Sequence, residues 1–148
     1  MGNVSLRGLI IAIVFIGMLG LAPELLLIKH FESWTQVIPL VSLGLGFAIS
    51  LTVVRRPSRT TVRAFQVVMG LFVIAGLLGV FLHLKGNVEW ALERDPSLAG
   101  GSLIWKALRG ATPALAPGAL AQLGLLGLAW AHRHPAVKGN HRLQEIDS

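Results

Sequence analysis

The stretch "LGLAPELLLIKHFESW", residues 19–34, decides the fold. It starts inside an apolar run, is interrupted by Pro23-Glu24, and ends in a cluster of charge. Were the run to stop at Pro23, the N-terminus would read as a secretion signal. The run from Leu6 to Ile28 is too long for the apolar core of a signal, and "GLAPELL" makes a poor cleavage site. The segment therefore reads as an uncleaved membrane helix, since about 20 apolar residues suffice to cross a bilayer. A carboxylate within hydrocarbon costs roughly 2.5–3.5 kcal/mol at the bilayer centre, so Glu24 requires compensation.

Three more apolar runs follow, over about 37–54, 64–84 and 114–131. The expectation is an all-α integral membrane four-helix bundle covering residues 1–135, with a polar tail over 136–148. Composition agrees: 53% of the 148 residues are hydrophobic, 14% are charged, and the mean hydropathy is +0.68. The absence of cysteine excludes disulfides, thiolate metal sites and thiol redox chemistry.

The net charge of +6 is no sign of nucleic acid, because the basic residues sit between or beside the apolar runs. Arg7, Arg55, Arg56, Arg59, Arg63, Arg133, Lys138 and Arg142 fall on one side of the four-span arrangement. Only five basic residues fall on the other, four of them in one long loop. The positive-inside rule then places both termini and the 55–63 loop in the cytoplasm.

The spans pair into two hairpins. The first external connection, "KHFESWTQ", is short, and the second runs from Lys85 to about Pro113. Within it "NVEWALERDPS" extends the third helix until Asp95-Pro96 stops it. "SLIWKALRG" follows, with Ser102 as cap and Gly110 as stop. Its Leu103, Ile104, Trp105, Ala107 and Leu108 oppose Lys106 and Arg109, the pattern of a short helix lying in the membrane interface. Trp34, Trp90, Trp105 and Trp130 fall near the expected boundaries, where indole anchors. Small residues at Ser42, Gly46, Ser50, Ala75 and Gly79 allow helices to approach closely.

A pseudo-repeat of the two hairpins is one reading of the sequence, accidental alignment of apolar segments being the other. An offset of 59 lays Gly17 on Gly76, Gly20 on Gly79, Glu24 on His83 and His30 on Glu89. An offset of 78 lays Pro39 on Pro117, Gly46 on Gly124, Arg55 on Arg133 and Pro57 on Pro135. Parallel repeats of this kind are related by an axis along the membrane normal.

The unusual ionisable groups gather at the external end: Glu24, His30 and Glu32 from the first hairpin, His83, Glu89 and Glu93 from the second. Asn87 supports them, since His83, Asn87 and Trp90 lie within about 60° on one helix face. Imidazole with carboxylate suits a divalent metal such as zinc, iron, manganese or nickel. Neither HExxH nor ExxH occurs, so a purely structural role stays open, with Glu24 hydrogen-bonded to His83. A bis-histidine haem on His30 and His83 is not expected, because the two sit at different depths. No phosphate-binding glycine loop, nucleophile elbow or activated serine occurs, so no enzyme activity is expected.

The segments "ELLLIKHFESWTQVIPL", "HLKGNVEW" and "GATPALAPGALAQLGLLGLAWAHRHP" resemble a family of small, uncharacterised four-span bacterial inner-membrane proteins. The resemblance implies a bacterial inner-membrane location and a four-span fold, and it brings no ligand or catalytic residue. Two functions follow as alternatives. One is binding or passage of a divalent metal or other small cation at the external Glu/His site. The other is a non-catalytic accessory subunit in which those groups only stabilise the bundle. The expected partners are the lipid bilayer and either another membrane protein or a second copy, not nucleic acid.

Overall fold

Down one long helix, Val62, Phe65, Met69, Phe72 and Gly76 are buried at alternating spacings of three and four. That is the seam along which helices pack nearly parallel. The seam belongs to α3 (Arg59–Arg94) in a computed structural model that describes residues 5–137. The other helices are α1 (Leu6–Leu27), α2 (Trp34–Arg55), α4 (Gly100–Leu108) and α5 (Gly118–Ala131). The described residues contain no strand and are all-α, as the sequence leads one to expect.

The helix ends follow local chemistry. In α1, Pro23 removes one amide without ending the helix. The end comes at a Schellman turn: the Lys29 amide bonds the Leu26 carbonyl, and the His30 amide bonds that of Leu25. Lys29 takes the left-handed conformation there, at φ 54°. Gln36 Oε1 accepts from the Glu32 and Ser33 amides at the start of α2. Ser58 and Thr61 cap α3 reciprocally, each side chain accepting from the other's amide. α3 stops at Asp95, as the Asp-Pro pair predicts.

Two expectations need correction here. The cap of α4 is Ala99 rather than Ser102, whose hydroxyl donates to the Ala99 carbonyl at 2.7 Å. The fourth apolar run is helical only from Gly118, and 114–117 form turns instead. Pro117 lacks the amide that would reach back to the Pro113 carbonyl, and the Ala116 amide takes it at 3.2 Å. α5 thus has 14 residues, about 21 Å of helix.

The four longer helices pack side by side in the cyclic order α1, α2, α3, α5, with α4 laid against α3. The α3–α5 contact is the most extensive and the most closely approached. A Cβ on Gly76 would stand 2.5 Å from the Ala121 amide nitrogen, and one on Gly124 would stand 2.5 Å from the Met69 carbonyl oxygen. Gly46 lies beneath the Phe72 ring, and Ser50 donates to its carbonyl at 2.6 Å. Trp130 is core rather than a boundary anchor: it is 5% exposed, edge-on to Phe65 at 5.1 Å. At the same end Arg7 Nη2 donates to the carbonyls of His132 (2.9 Å) and Arg133 (3.1 Å), tying α1 to the C-terminus of α5.

Three helices, α1, α2 and α3, are long and apolar enough to cross a membrane. Their most apolar windows bury only 11%, 22% and 17% of their residues within the protein. The remainder forms an outward apolar surface, including Ile16, Leu19, Leu45, Val67, Ile74, Leu77 and Phe81. An apolar surface that extensive requires an apolar environment or partner to cover it.

Candidate functional site

The polar groups singled out in the sequence lie at one end of the helix ring, beside the α1–α2 turn and α4. We call this the cap end. It is built around Asn87, which is 2% exposed on α3. Its Nδ2 donates to the carbonyls of Ala107 (2.9 Å) and Thr112 (2.7 Å). Its Oδ1 accepts from the Thr112 amide (3.1 Å) and hydroxyl (2.9 Å). Two donors and two acceptor sites are the whole capacity of a carboxamide, so Asn87 is fully satisfied within the protein. Gly110 makes the approach possible, because the Asn87 side chain occupies the space a Cβ there would need.

One turn earlier on the same face, His83 Nδ1 lies 3.2 Å from the Pro113 carbonyl. A carbonyl only accepts, so Nδ1 carries the proton and Nε2 keeps a free lone pair in the neutral ring. His83 and Asn87 therefore grip the same strap, residues 109–117, at adjacent points. From the α1–α2 turn His30 comes alongside, its ring centre 6.1 Å from that of His83 and the planes inclined by 50°.

The carboxylates do not converge on this pair. Glu24, Glu32, Glu89 and Glu93 are all exposed, and Glu89 pairs with Lys85 at 3.6 Å. Among the described residues no group of three or more His, Asp or Glu is placed to hold a metal. Glu24 makes no hydrogen bond to His83 among the described residues, against expectation. Helical geometry explains this. The buried stripe of α1 is Ile11, Val14 and Met18, and Glu24 stands about 120° round the helix from Met18.

Burial, and then the neighbouring His83, hold the His30 imidazole below its ordinary value of 6.5. At the opposite end burial, and then Arg7, lower His134 in the same way. A histidine lowered on folding leaves stability at its full value above pH 6.5. Stability is then lost as pH falls from that point through the folded value, because the unfolded chain binds the proton first. The melting temperature should therefore drop between about pH 7 and pH 5, and a His30→Asn/His134→Asn double variant should show a flatter profile. A wild-type melting temperature that rises on acidification over that range would contradict both shifts. Asp95 is lowered as well, by the Ser97 hydroxyl (2.6 Å) and amide (3.1 Å), and acts only at more acidic pH.

On sequence Asn87 is only a supporting residue, whereas in the structure it organises the cap end. The available signal was an amide at the centre of the helix face that also carries His83 and Trp90. Its partners, 20 and 25 residues away, had no sequence signature. No family model, curated protein or solved structure matches this chain.

Proposed function

We propose that this chain is a non-catalytic membrane protein, an accessory or structural subunit, which holds a rigid cap at the extracytoplasmic end of a four-span bundle. The observation that carries this reading is Asn87. Its entire hydrogen-bonding capacity is spent fastening α4 and the strap to α3, with none left for a ligand. The outward apolar surface of α1, α2 and α3 supports insertion in lipid. α5 completes the ring as a fourth, shorter span, with the 114–117 turns extending its reach. The cyclic order α1, α2, α3, α5 is also the order that a duplicated hairpin would produce. The basic 55–63 loop favours a cytoplasmic location for that end, and the resemblance favours a bacterial inner membrane.

A second reading, a divalent metal at the cap end, is favoured by the His30–His83 pair. Two imidazoles on one tetrahedral metal at about 2.0–2.1 Å per bond have ring centres about 5–5.6 Å apart. The observed 6.1 Å is wider than that, so the rings would have to draw together on binding, while a carbonyl on Nδ1 is the usual orienting partner of a ligating histidine. Water or Glu32 would have to complete the coordination.

Melting curves with zinc, manganese, iron or nickel separate the two. Under the structural reading no metal shifts the melting temperature, and Asn87→Ala lowers it. A bound metal would stabilise by about 2.7 kcal/mol at a hundredfold excess over Kd. That gain would vanish in His83→Ala and weaken as pH falls, because imidazole must be neutral to coordinate. A shift with those properties would replace the structural reading with the metal one.

A further inference from the structure

The basic end of the ring, opposite the cap, carries Arg55 and Arg56 at the end of α2 and Arg59 and Arg63 in the first turns of α3. All four are exposed, and no carboxylate among the described residues pairs with them. The described carboxylates lie at the other end. α2 alone separates Trp34 from Arg55 by about 31 Å of helix, and Arg59 is about 45 Å along α3 from Glu89. Within this field Leu51, Thr52, Arg55 and Arg56 line an open hollow of about 330 Å³. Their spacing puts them on one face of the last two turns of α2.

We infer that this hollow is a binding site for the phosphate group of an anionic membrane phospholipid. The inference rests on the membrane-spanning reading above. Arg55 follows directly on the apolar run of α2, so its guanidinium stands where a bilayer's phosphate layer meets its hydrocarbon. Leu51, one turn deeper, offers an apolar wall to the first methylenes of an acyl chain. A guanidinium matches two phosphate oxygens with parallel N–H donors, and a second arginine next to it supplies charge for the phosphodiester. A net-anionic headgroup fits better than a zwitterionic one. Two guanidinium groups line the hollow and two more stand on the adjoining start of α3, and no described carboxylate is near to receive a choline or ethanolamine cation.

The test uses the purified full chain in neutral detergent, titrated with phosphatidylglycerol, with phosphatidylcholine and with inorganic phosphate while the melting temperature is read. Phosphatidylglycerol should raise it and the other two should not. Arg55→Gln/Arg56→Gln should weaken the phosphatidylglycerol response roughly 30-fold. Arg59→Gln/Arg63→Gln, with the same loss of charge outside the hollow, should keep most of it. Both double variants should melt like wild type without lipid, since none of the four side chains packs in the core. Equal loss in both variants would overturn the site in favour of diffuse attraction, and an equal response to inorganic phosphate would overturn its assignment to lipid. Alkaline carbonate extraction of wild-type membranes tests the spanning reading separately: release of the chain would defeat that reading, and retention leaves the lipid titration to decide the site.

Discussion

Asn87→Ala should destabilise the protein by about 2–4 kcal/mol, the largest loss expected from any single side chain at the cap end. The substitution removes four hydrogen bonds and leaves the Thr112 amide and carbonyl without their partner, while the buried Ala107 carbonyl keeps only the Gly110 amide at 3.2 Å. It also opens a void under Gly110, which sits against the Asn87 side chain. The damage should be local. Hydrogen exchange and proteolysis should rise over residues 96–117, while α3 and α5 stay protected, because their contact lies deeper and is independent of Asn87. Asn87→Asp should be at least as harmful at neutral pH: it keeps the acceptor for Thr112 and turns a second oxygen toward two carbonyls. An Asn87→Ala protein with wild-type stability and an unchanged cleavage pattern would show that the cap is not held by this residue.

Gly124→Val should disrupt the ring itself, at a cost of about 3 kcal/mol or more. A Cβ at this position meets the Met69 carbonyl at 2.5 Å, the Val73 side chain at 2.8 Å and Phe72 Cβ at 2.9 Å. The first of these is backbone and cannot rotate away, so α3 and α5 must separate. Packing between helices in lipid depends on van der Waals contact along the whole interface, which makes such a separation costly. Gly20→Val is the control: a Cβ there meets nothing within 4 Å, and the residue is exposed. Its unfolding midpoint in mixed micelles should match wild type, whereas that of Gly124→Val should collapse. Equal behaviour of the two would place the α3–α5 contact elsewhere.

The helices themselves were legible in the sequence because apolar run length and Asp-Pro, Ser and Arg punctuation act locally. α1 and α2 lie within about three residues of the runs that predict them, and α3 continues past its apolar run to Asp95. α5 starts later than its apolar run because Pro117 has no amide to bond the Pro113 carbonyl. The two prolines are visible in the sequence as breakers at the first turns, and hydropathy alone does not say that the turn there stays non-helical. The convergence of carboxylates failed for a different reason. Glu24 shares an end of the ring with His83, and sharing an end does not fix the direction of a side chain around its helix axis. The phase of α1 is set by Ile11, Val14 and Met18 packing into the ring, and that phase turns Glu24 outward. Asn87 could be placed on a face, yet its role depends on a strap whose course follows from Gly110, Pro113 and Pro117 acting together.

The central claim is that the cap and the basic loop lie on opposite sides of a membrane crossed by α3. The cysteine-free chain makes this directly measurable, since one introduced cysteine is the only labelling site. Thr60→Cys and Gly101→Cys place a thiol on exposed positions at the two ends of the ring. In intact cells permeable only at the outer membrane, a membrane-impermeant maleimide should label Gly101→Cys and leave Thr60→Cys unmodified until the inner membrane is opened. Labelling of both sites, or of Thr60→Cys alone, in intact cells would contradict the arrangement proposed here.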